Sequence, residues 1–169
     1  MNYRIESKEA FTVYGIEGIF TTNQGDNLVS IPQFWKKAHQ DGSIDKLVQS
    51  TGQFGETTTE LCLVNAICDY REVEGEHTFP YMLFAHKTDQ SQTEGYEEVT
   101  VPASTWAIFR TENHTMEQTS GAIQGLIKRV YTEWLPTTGY EQHYGYEMEL
   151  YYGSGSTCWT EFWIRVKAK

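Results

Sequence analysis

The chain has 169 residues, of which 39% are apolar, which is enough for one ordinary domain with a hydrophobic core. Its 13 basic and 23 acidic residues give a formal net charge of -10, and Lys and Arg form no cluster, which argues against a nucleic-acid-binding protein. An acidic surplus of this kind attracts cationic partners.

The first half of the chain is predicted to form a strand, a helix and two further strands. Alternation over residues 4–20 predicts one long strand. A capping box at residues 30–33 predicts the start of a helix, and residues 41–43 interrupt that helix before a second short piece. Strands at residues 61–69 and 78–87 complete this half.

The second half repeats the same order of elements after a polar linker. A strand is predicted at residues 98–110, followed by a second capping box at residues 115–118. The helix behind this box has one apolar face at three-and-four spacing, formed by Ile123, Leu126, Ile127, Val130, Tyr131 and Trp134. Strands at residues 146–152 and 161–166 end the chain.

This repeated order predicts an α+β fold in which a β-α-β-β module is duplicated around a pseudo-twofold axis. Repeat one covers about residues 1–88 and repeat two about 96–169, within one domain spanning 1–169. The modules most simply join in one antiparallel sheet with both long helices on one face. The opposite face must then be curved, wet or filled by a ligand, and we expect a ligand cleft on that face, at the junction of the halves.

Acidic and aromatic side chains alternate with apolar ones along the last two strands. One set comprises Glu147, Glu149 and Tyr151, which alternate with Met148 and Leu150. The other comprises Glu161, Trp163 and Arg165, which alternate with Phe162, Ile164 and Val166. If the apolar sides pack on helices, both acidic sets share the face turned away from the helices. Carboxylates and rings together are the composition of a pocket for an organic cation.

Segments near both ends of the chain carry a resemblance to a known family. They are residues 3–6 and 11–16 at the start, and residues 148–151 and 161–167 at the end. In their order and spacing they resemble the GyrI-like small-molecule-binding family, which also supplies effector-binding domains of AraC-type and MerR-type multidrug regulators. The resemblance covers nearly the whole chain. It implies a pseudo-twofold pair of modules with flat, lipophilic, often cationic molecules bound between the halves.

The same resemblance implies two pocket glutamates. The family's hydrophobic-Glu-x-Tyr pattern falls on Glu149, and its final Glu-x-aromatic-Ile strand falls on Glu161. We expect both in the ligand site, and both as the catalytic groups if the protein is an enzyme; a solvated strand face is the alternative. Glu147 is expected at the rim. Arg165 stands where the family often has proline, and by alternation it is expected on the face of Glu161, where it can pair with a carboxylate.

Aromatic residues are the other candidates for the ligand site. Rings that stack on a flat cation contribute about 0.5–2 kcal/mol each. The candidates are Tyr151, Trp163, Trp35, Trp106 and Tyr14. Packing in the core or between strands is the alternative use of such residues.

Three functions are compatible with these features. The leading hypothesis is a free-standing protein, without a DNA-binding segment, that captures hydrophobic, cationic or polycyclic compounds in a cleft between the repeats. The second is a hydrolase of reactive cyclopropane-bearing or related electrophilic natural products, as the family resemblance implies, in which Glu149 or Glu161 activates water. The third is an acidic inhibitor that binds a nucleic-acid enzyme by occupying its basic site.

Other motifs limit the location and the cofactors of the protein. The N-terminus lacks the apolar stretch of a signal peptide, and no run is long enough to span a membrane. Cys62, Cys68 and Cys158 form no CxxC pair and are expected to be reduced thiols in a cytoplasmic protein. Histidine spacing predicts no metal site, and without a Gly-rich phosphate loop we expect no cofactor.

Overall fold

Nine strands and three α-helices follow one another in the computed structural model, which describes residues 1–53 and 60–169. The first half contains β1 (Asn2–Lys8), β2 (Phe11–Thr21), α1 (Asn27–Gln40), α2 (Ser43–Ser50), β3 (Asn65–Cys68) and β4 (Thr78–His86). The second contains β5 (Glu97–Val101), β6 (Ser104–Arg110), α3 (Thr119–Arg129), β7 (Tyr140–Gln142), β8 (Glu147–Ser154) and β9 (Thr157–Ala168). The predicted α+β class is confirmed.

Each half begins with two strands where alternation predicts one. The segment 4–20 is divided between β1 and β2, and the segment 98–110 between β5 and β6. Glu6 of β1 lies opposite Trp106 and shares its face, whereas Val13 occupies that face in β2. The alternation therefore changes phase between the two strands. This one-residue change of phase is the sequence signal of the break between the two strands.

The strands form one antiparallel sheet in the order β1-β6-β9-β8-β3-β4-β2-β5, and β7 pairs with β9 outside this path. Read from either edge, the order has the same form. An edge strand contributed by the other half comes first, then the three inner strands of one half. The central pair, β3 against β8, is the seam between the halves. This symmetric order is what duplication of one module produces.

Two short connections control the shape of the sheet. Residues 9–10 join β1 to β2, and residues 102–103 join β5 to β6. In each case the joined strands stand six positions apart in the sheet order. Six strand spacings would cover about 29 Å in a flat sheet, whereas a two-residue connection reaches only about 10 Å. The sheet must therefore curl until its two edges approach each other.

Curling buries the face that carries no helix. One continuous hydrophobic cluster on this face joins residues of both halves. Its members include Val13, Ile67, Met82 and Phe84 from the first half and Trp106, Ile108, Met148 and Trp163 from the second. All of them are less than 9% exposed. Of the three possibilities for this face, curved, wet or ligand-filled, the fold is the curved one.

The helices cover the outer face of the curled sheet, as predicted. Residues of α1 and α2 pack on one cluster that includes Tyr14, Leu47 and Leu83. Residues of α3 pack on a separate cluster that includes Phe109, Leu126 and Ile164. Each half therefore has its own helix-covered core, and the seam runs between them. Among the described residues, every helix is too short or too polar to cross a lipid bilayer.

One predicted helix start is confirmed and the other is wrong. Thr115 and Gln118 form the reciprocal capping box, which opens a 3₁₀ turn ahead of α3. In contrast, α1 begins at Asn27 rather than Ser30, and the Ser30 hydroxyl donates back to the Asp26 carbonyl oxygen (3.0 Å). Pro32 therefore stands inside the helix, beyond the first four free N–H groups, and costs the helix one backbone hydrogen bond.

We expect Gly15→Ala to destabilise the protein by at least about 3 kcal/mol, because the close pairing of β2 with β4 leaves no room for a side chain. A Cβ at Gly15 would lie 1.8 Å from the Leu83 carbonyl oxygen. The matched control is Gly125→Ala on the exposed side of α3, where a Cβ meets nothing within 4 Å. This control should stabilise the protein by about 0.5–1 kcal/mol. Urea unfolding of both variants measures the two effects, and equal stabilities would contradict this strand packing.

Candidate ligand-binding cleft

A cavity of about 210 Å³ lies at the seam between the halves, on the helix-bearing face of the sheet and not on the helix-free face where the sequence predicts a cleft. Its walls come from Asn27 and Ile31 of α1 on one side and from Ile127 of α3 on the other. We call this cavity the seam cleft. It exists because α1 and α3 each cover the core of their own half and leave the seam between them.

The floor of the seam cleft combines small, acidic and aromatic residues. Ala66 of β3 lies directly opposite Glu149 of β8, and Cys68 lies opposite Glu147. Ala66 has too small a side chain to fill the gap above the seam. Aromatic rings from neighbouring strands complete the lining, namely Phe79, Tyr81 and Phe162. Two carboxylates therefore lie in a cleft whose other walls are largely apolar.

Glu149 is held by two tyrosine hydroxyls. Its Oε2 accepts hydrogen bonds from Tyr151 and from Tyr81 (3.3 Å). The Tyr81 hydroxyl in turn accepts a hydrogen bond from the Trp35 indole Nε1 of α1 (2.9 Å). This chain of donors fixes the position of the carboxylate, so Glu149 is pre-organised before any ligand arrives.

Glu147 is held in the same way from the other half. Its Oε1 accepts hydrogen bonds from the Tyr131 hydroxyl, just after α3, and from Gln142 Nε2 (2.8 Å). Gln142 also donates to the Tyr131 oxygen (3.0 Å). The expectation that Glu147 lies at an exposed rim is wrong, because this residue is half-buried in the cleft floor.

Neither carboxylate pairs with a basic residue in the described part of the chain. Within residues 1–53 and 60–169, no Lys, Arg or His nitrogen lies within 4.0 Å of Glu147 or Glu149. Burial raises the pKa of the Glu149 carboxyl, and the tyrosine hydrogen bonds oppose that rise. Burial also raises the pKa of Glu147, with further increases from the charges of Asp69 and Glu149. A proton or an organic cation bound at either carboxylate therefore lowers the free energy of that group.

Cys68 and Asp69 extend the polar floor beside Glu147. The Cys68 Sγ lies 3.8 Å from Asp69 Oδ2 and 4.0 Å from Glu147 Oε2. The Cys68 thiol and the carboxylates of Asp69 and Glu147 are potential metal ligands, and their ligand atoms all lie within 4.8 Å of one another. Burial and the nearby carboxylates raise the pKa of the thiol, which favours its neutral form.

The predicted common face for Glu149 and Glu161 is wrong. Glu161 lies opposite Leu150, on the inner face of the curled sheet, whereas Glu149 lies opposite Phe162 on the outer face. Glu161 is 6% exposed and forms an ion pair with Arg4 (Nη1 to Oε1, 2.6 Å). It also accepts hydrogen bonds from the indole of Trp163 (2.9 Å) and the hydroxyl of Tyr152 (3.1 Å). These contacts give Glu161 a structural role that links β1 to β9.

The aromatic candidates lie in three separate places. Tyr151 and Trp35 stand directly behind Glu149 and contact each other edge to face (5.3 Å between centroids). Trp163 and Trp106 lie on the inner face, where their rings meet edge to face (5.7 Å). Tyr14 is fully buried beneath α2, and its hydroxyl shares a hydrogen bond with the Ser50 hydroxyl (2.8 Å). None of these five rings lines the seam cleft itself. Tyr151 and Trp35 support it from behind, through the hydrogen bonds to Glu149 and Tyr81.

Arg165 also lies on the inner face, away from Glu149. Its Nη2 donates to the Tyr144 carbonyl oxygen (3.3 Å), and its guanidinium lies 5.0 Å from the centre of the Tyr146 ring. No carboxylate among the described residues pairs with it. Burial lowers the pKa of Arg165. Arg165 therefore shares the face of Glu161, as predicted, but it pairs with no described carboxylate and does not neutralise the cleft.

Comparison with known proteins agrees with this fold. The family model for the GyrI-like small molecule binding domain matches residues 1–167. The structure is similar to that of SAV2435 bound to tetraphenylphosphonium, with a TM-score of 0.73 and 19% identity over 99% of this chain and 94% of that one. No curated protein matches the sequence.

Two further solved structures share the fold. One is the integron cassette protein VCH_CASS2 from the mobile metagenome of Vibrio cholerae, with a TM-score of 0.61 and 14% identity over 98% of this chain and 95% of that one. The other is the EcmrR C-terminal domain, with a TM-score of 0.52 and 14% identity over 99% and 98%. At these identities the similarity concerns the fold.

We expect Glu149→Gln and Glu161→Gln to change stability in opposite directions at neutral pH. Because the folded state raises the pKa of Glu149, its contribution to stability is largest below the unfolded pKa, about 4.3, and is lost as the pH rises through the folded pKa. Glu149→Gln should therefore raise the melting temperature by about 2–4 °C at pH 7, with no gain near pH 4.

Glu161→Gln should instead destabilise the protein by about 1–3 kcal/mol at pH 7, because it removes the charge that Arg4 pairs with. Thermal melts between pH 4 and pH 8 measure both variants. If Glu149→Gln destabilises the protein at pH 7, the folded state stabilises the charged form of this carboxylate, and the prediction is wrong.

Proposed function

We propose that this chain, which belongs to the GyrI-like small-molecule-binding domain family, captures hydrophobic organic cations in the seam cleft, with Glu149 as the principal charge contact. The observation that carries the proposal is a pair of half-buried carboxylates without a basic partner in the described residues. A charge in such surroundings is costly unless something pairs with it. A bound cation supplies that partner.

The aromatic lining supports the same conclusion. Phe79, Tyr81 and Phe162 present ring surfaces around the carboxylates. A flat cation between such rings gains dispersion and cation–π attraction, about 0.5–2 kcal/mol for each ring. The Tyr81 and Tyr151 hydroxyls hold Glu149 in place, which reduces the entropy lost when a ligand binds.

The size of the cleft sets a limit on the ligand. A volume of about 210 Å³ lies below the range of about 300–1,000 Å³ typical of sites for drug-sized ligands. One aromatic ring with a charged substituent fits a volume of this order. SAV2435 binds tetraphenylphosphonium, and we propose that this chain accepts a cation of that size when α1 and α3 move apart.

Hydrolysis is a second candidate, because a glutamate with a raised pKa can act as a general base on water. In the seam cleft this role falls to Glu149, since Glu161 lies on the other face and is paired with Arg4. We expect a hydrolase to consume a reactive cyclopropane substrate over many turnovers, and Glu149→Gln to bind this substrate without converting it. Stoichiometric binding without product in the wild-type protein would exclude hydrolysis.

For the binding function, we expect Glu149→Gln to weaken tetraphenylphosphonium binding by about tenfold, which corresponds to about 1.4 kcal/mol. The physical reason is the loss of Coulomb attraction in a partly desolvated site. Isothermal titration calorimetry, with quenching of tryptophan fluorescence as a second signal, measures the dissociation constant.

The matched control is Glu141→Gln, which also removes one negative charge. Glu141 is exposed and pairs with Lys167 outside the cleft (2.9 Å). This variant should bind tetraphenylphosphonium within about twofold of the wild type, because exposed charges are screened by salt. If both variants lose affinity equally, the attraction comes from the net charge of the protein, and the proposed site is wrong.

A further inference from the structure

Glu147 and Glu149 are held apart by contacts on opposite sides of the seam. They stand two residues apart on one face of β8, which separates their Cα atoms by about 7 Å. Tyr81 of β4, in the first half, binds Glu149 together with the neighbouring Tyr151. Tyr131 and Gln142 of the second half bind Glu147. These anchors belong to different elements, so they keep two separate carboxylates in one cleft.

Each carboxylate keeps one oxygen available. The hydroxyl donors of Glu149 both bind its Oε2, and the donors of Glu147 both bind its Oε1. Within the described residues, Oε1 of Glu149 accepts no hydrogen bond from the protein, and Oε2 of Glu147 meets only the Cys68 thiol at 4.0 Å. The cleft therefore offers two separate acceptor positions for cationic donors.

A ligand with one charge satisfies only half of this arrangement. When a single cation binds at Glu149, Glu147 remains a half-buried group without a basic partner in the described chain, with Asp69 as a further acidic neighbour. A second cationic group on the same ligand compensates this charge without a second loss of translational entropy.

We propose that the seam cleft prefers ligands with two cationic groups, one against Glu149 and one against Glu147, over matched ligands with one. The proposal rests on the cation-binding function proposed above and names its ligand class. The chemistry fits a compact diamine or diamidine whose charged groups are about 7 Å apart across an apolar spacer. The spacer would lie on the apolar floor beside Ala66 and Phe162. A spacer of one aromatic ring suits a cleft of about 210 Å³.

The test compares two amines of nearly equal shape. The diamine is 1,4-bis(aminomethyl)benzene, and the monoamine is 4-methylbenzylamine, in which a methyl group replaces one aminomethyl group. Calorimetric titrations at pH 7 and fixed salt give the ratio of their dissociation constants for the wild type, Glu147→Gln, Glu149→Gln and Glu141→Gln. Melting temperatures of the variants show that each one is folded under the conditions of the titration.

We expect the wild type to bind the diamine at least about tenfold more tightly than the monoamine. The two equivalent ends of the diamine would by themselves give a ratio of only about two. Glu147→Gln should reduce this ratio to about two. Glu141→Gln should leave the ratio unchanged, although it lowers the net charge by the same amount. This contrast separates a second contact in the cleft from general attraction to an acidic protein.

A wild-type ratio of two or less overturns the proposal without any variant, and so does a tenfold ratio that Glu147→Gln leaves unchanged. The proposed function fails by a different result. If tetraphenylphosphonium binding does not respond to Glu149→Gln, the cation site itself is wrong. If it does respond while the diamine has no advantage, the cation site stands and the preference for two charges is wrong.

Discussion

The two short connections between β1 and β2 and between β5 and β6 are the constraint on which the rest of the structure depends. Each spans two residues but joins strands six positions apart in the sheet. A flat sheet cannot satisfy either connection, so the sheet curls and buries its helix-free face. The helices are left to cover the outer face. With one helical layer for each half, the seam between β3 and β8 remains as a gap, and this gap is the seam cleft.

Glutamate side chains have different surroundings on the two faces of the sheet. On the inner face, Glu161 is enclosed, and the fold provides Arg4 and two neutral donors to hold it. On the outer face, Glu149 receives neutral donors only and has no basic partner in the described chain. A paired buried carboxylate is a structural element, whereas an unpaired one in an open cleft can bind a ligand. The electrostatic difference between these two glutamates is the physical basis of the proposed cation site.

The donors around the cleft also connect the site to the duplication. Tyr81 belongs to the first half, Tyr131 belongs to the second, and each holds a carboxylate of the central strand β8. Elements of both halves therefore hold the two carboxylates of the proposed binding site. The same fold occurs in SAV2435 and in the EcmrR C-terminal domain.

By itself, the sequence determined the α+β class, the duplicated order of elements, the Thr115 capping box and the alternation that puts Glu147 and Glu149 on one face. These features are local or periodic, so they can be read without knowing which strands pair. Only the tertiary structure decided which face of each strand meets the helices. In β9 the apolar side faces α3, but in β8 Met148 and Leu150 face inward and the acidic side faces the helices. Strand register and the curl of the sheet decide this orientation, and both depend on contacts between residues that are distant along the chain.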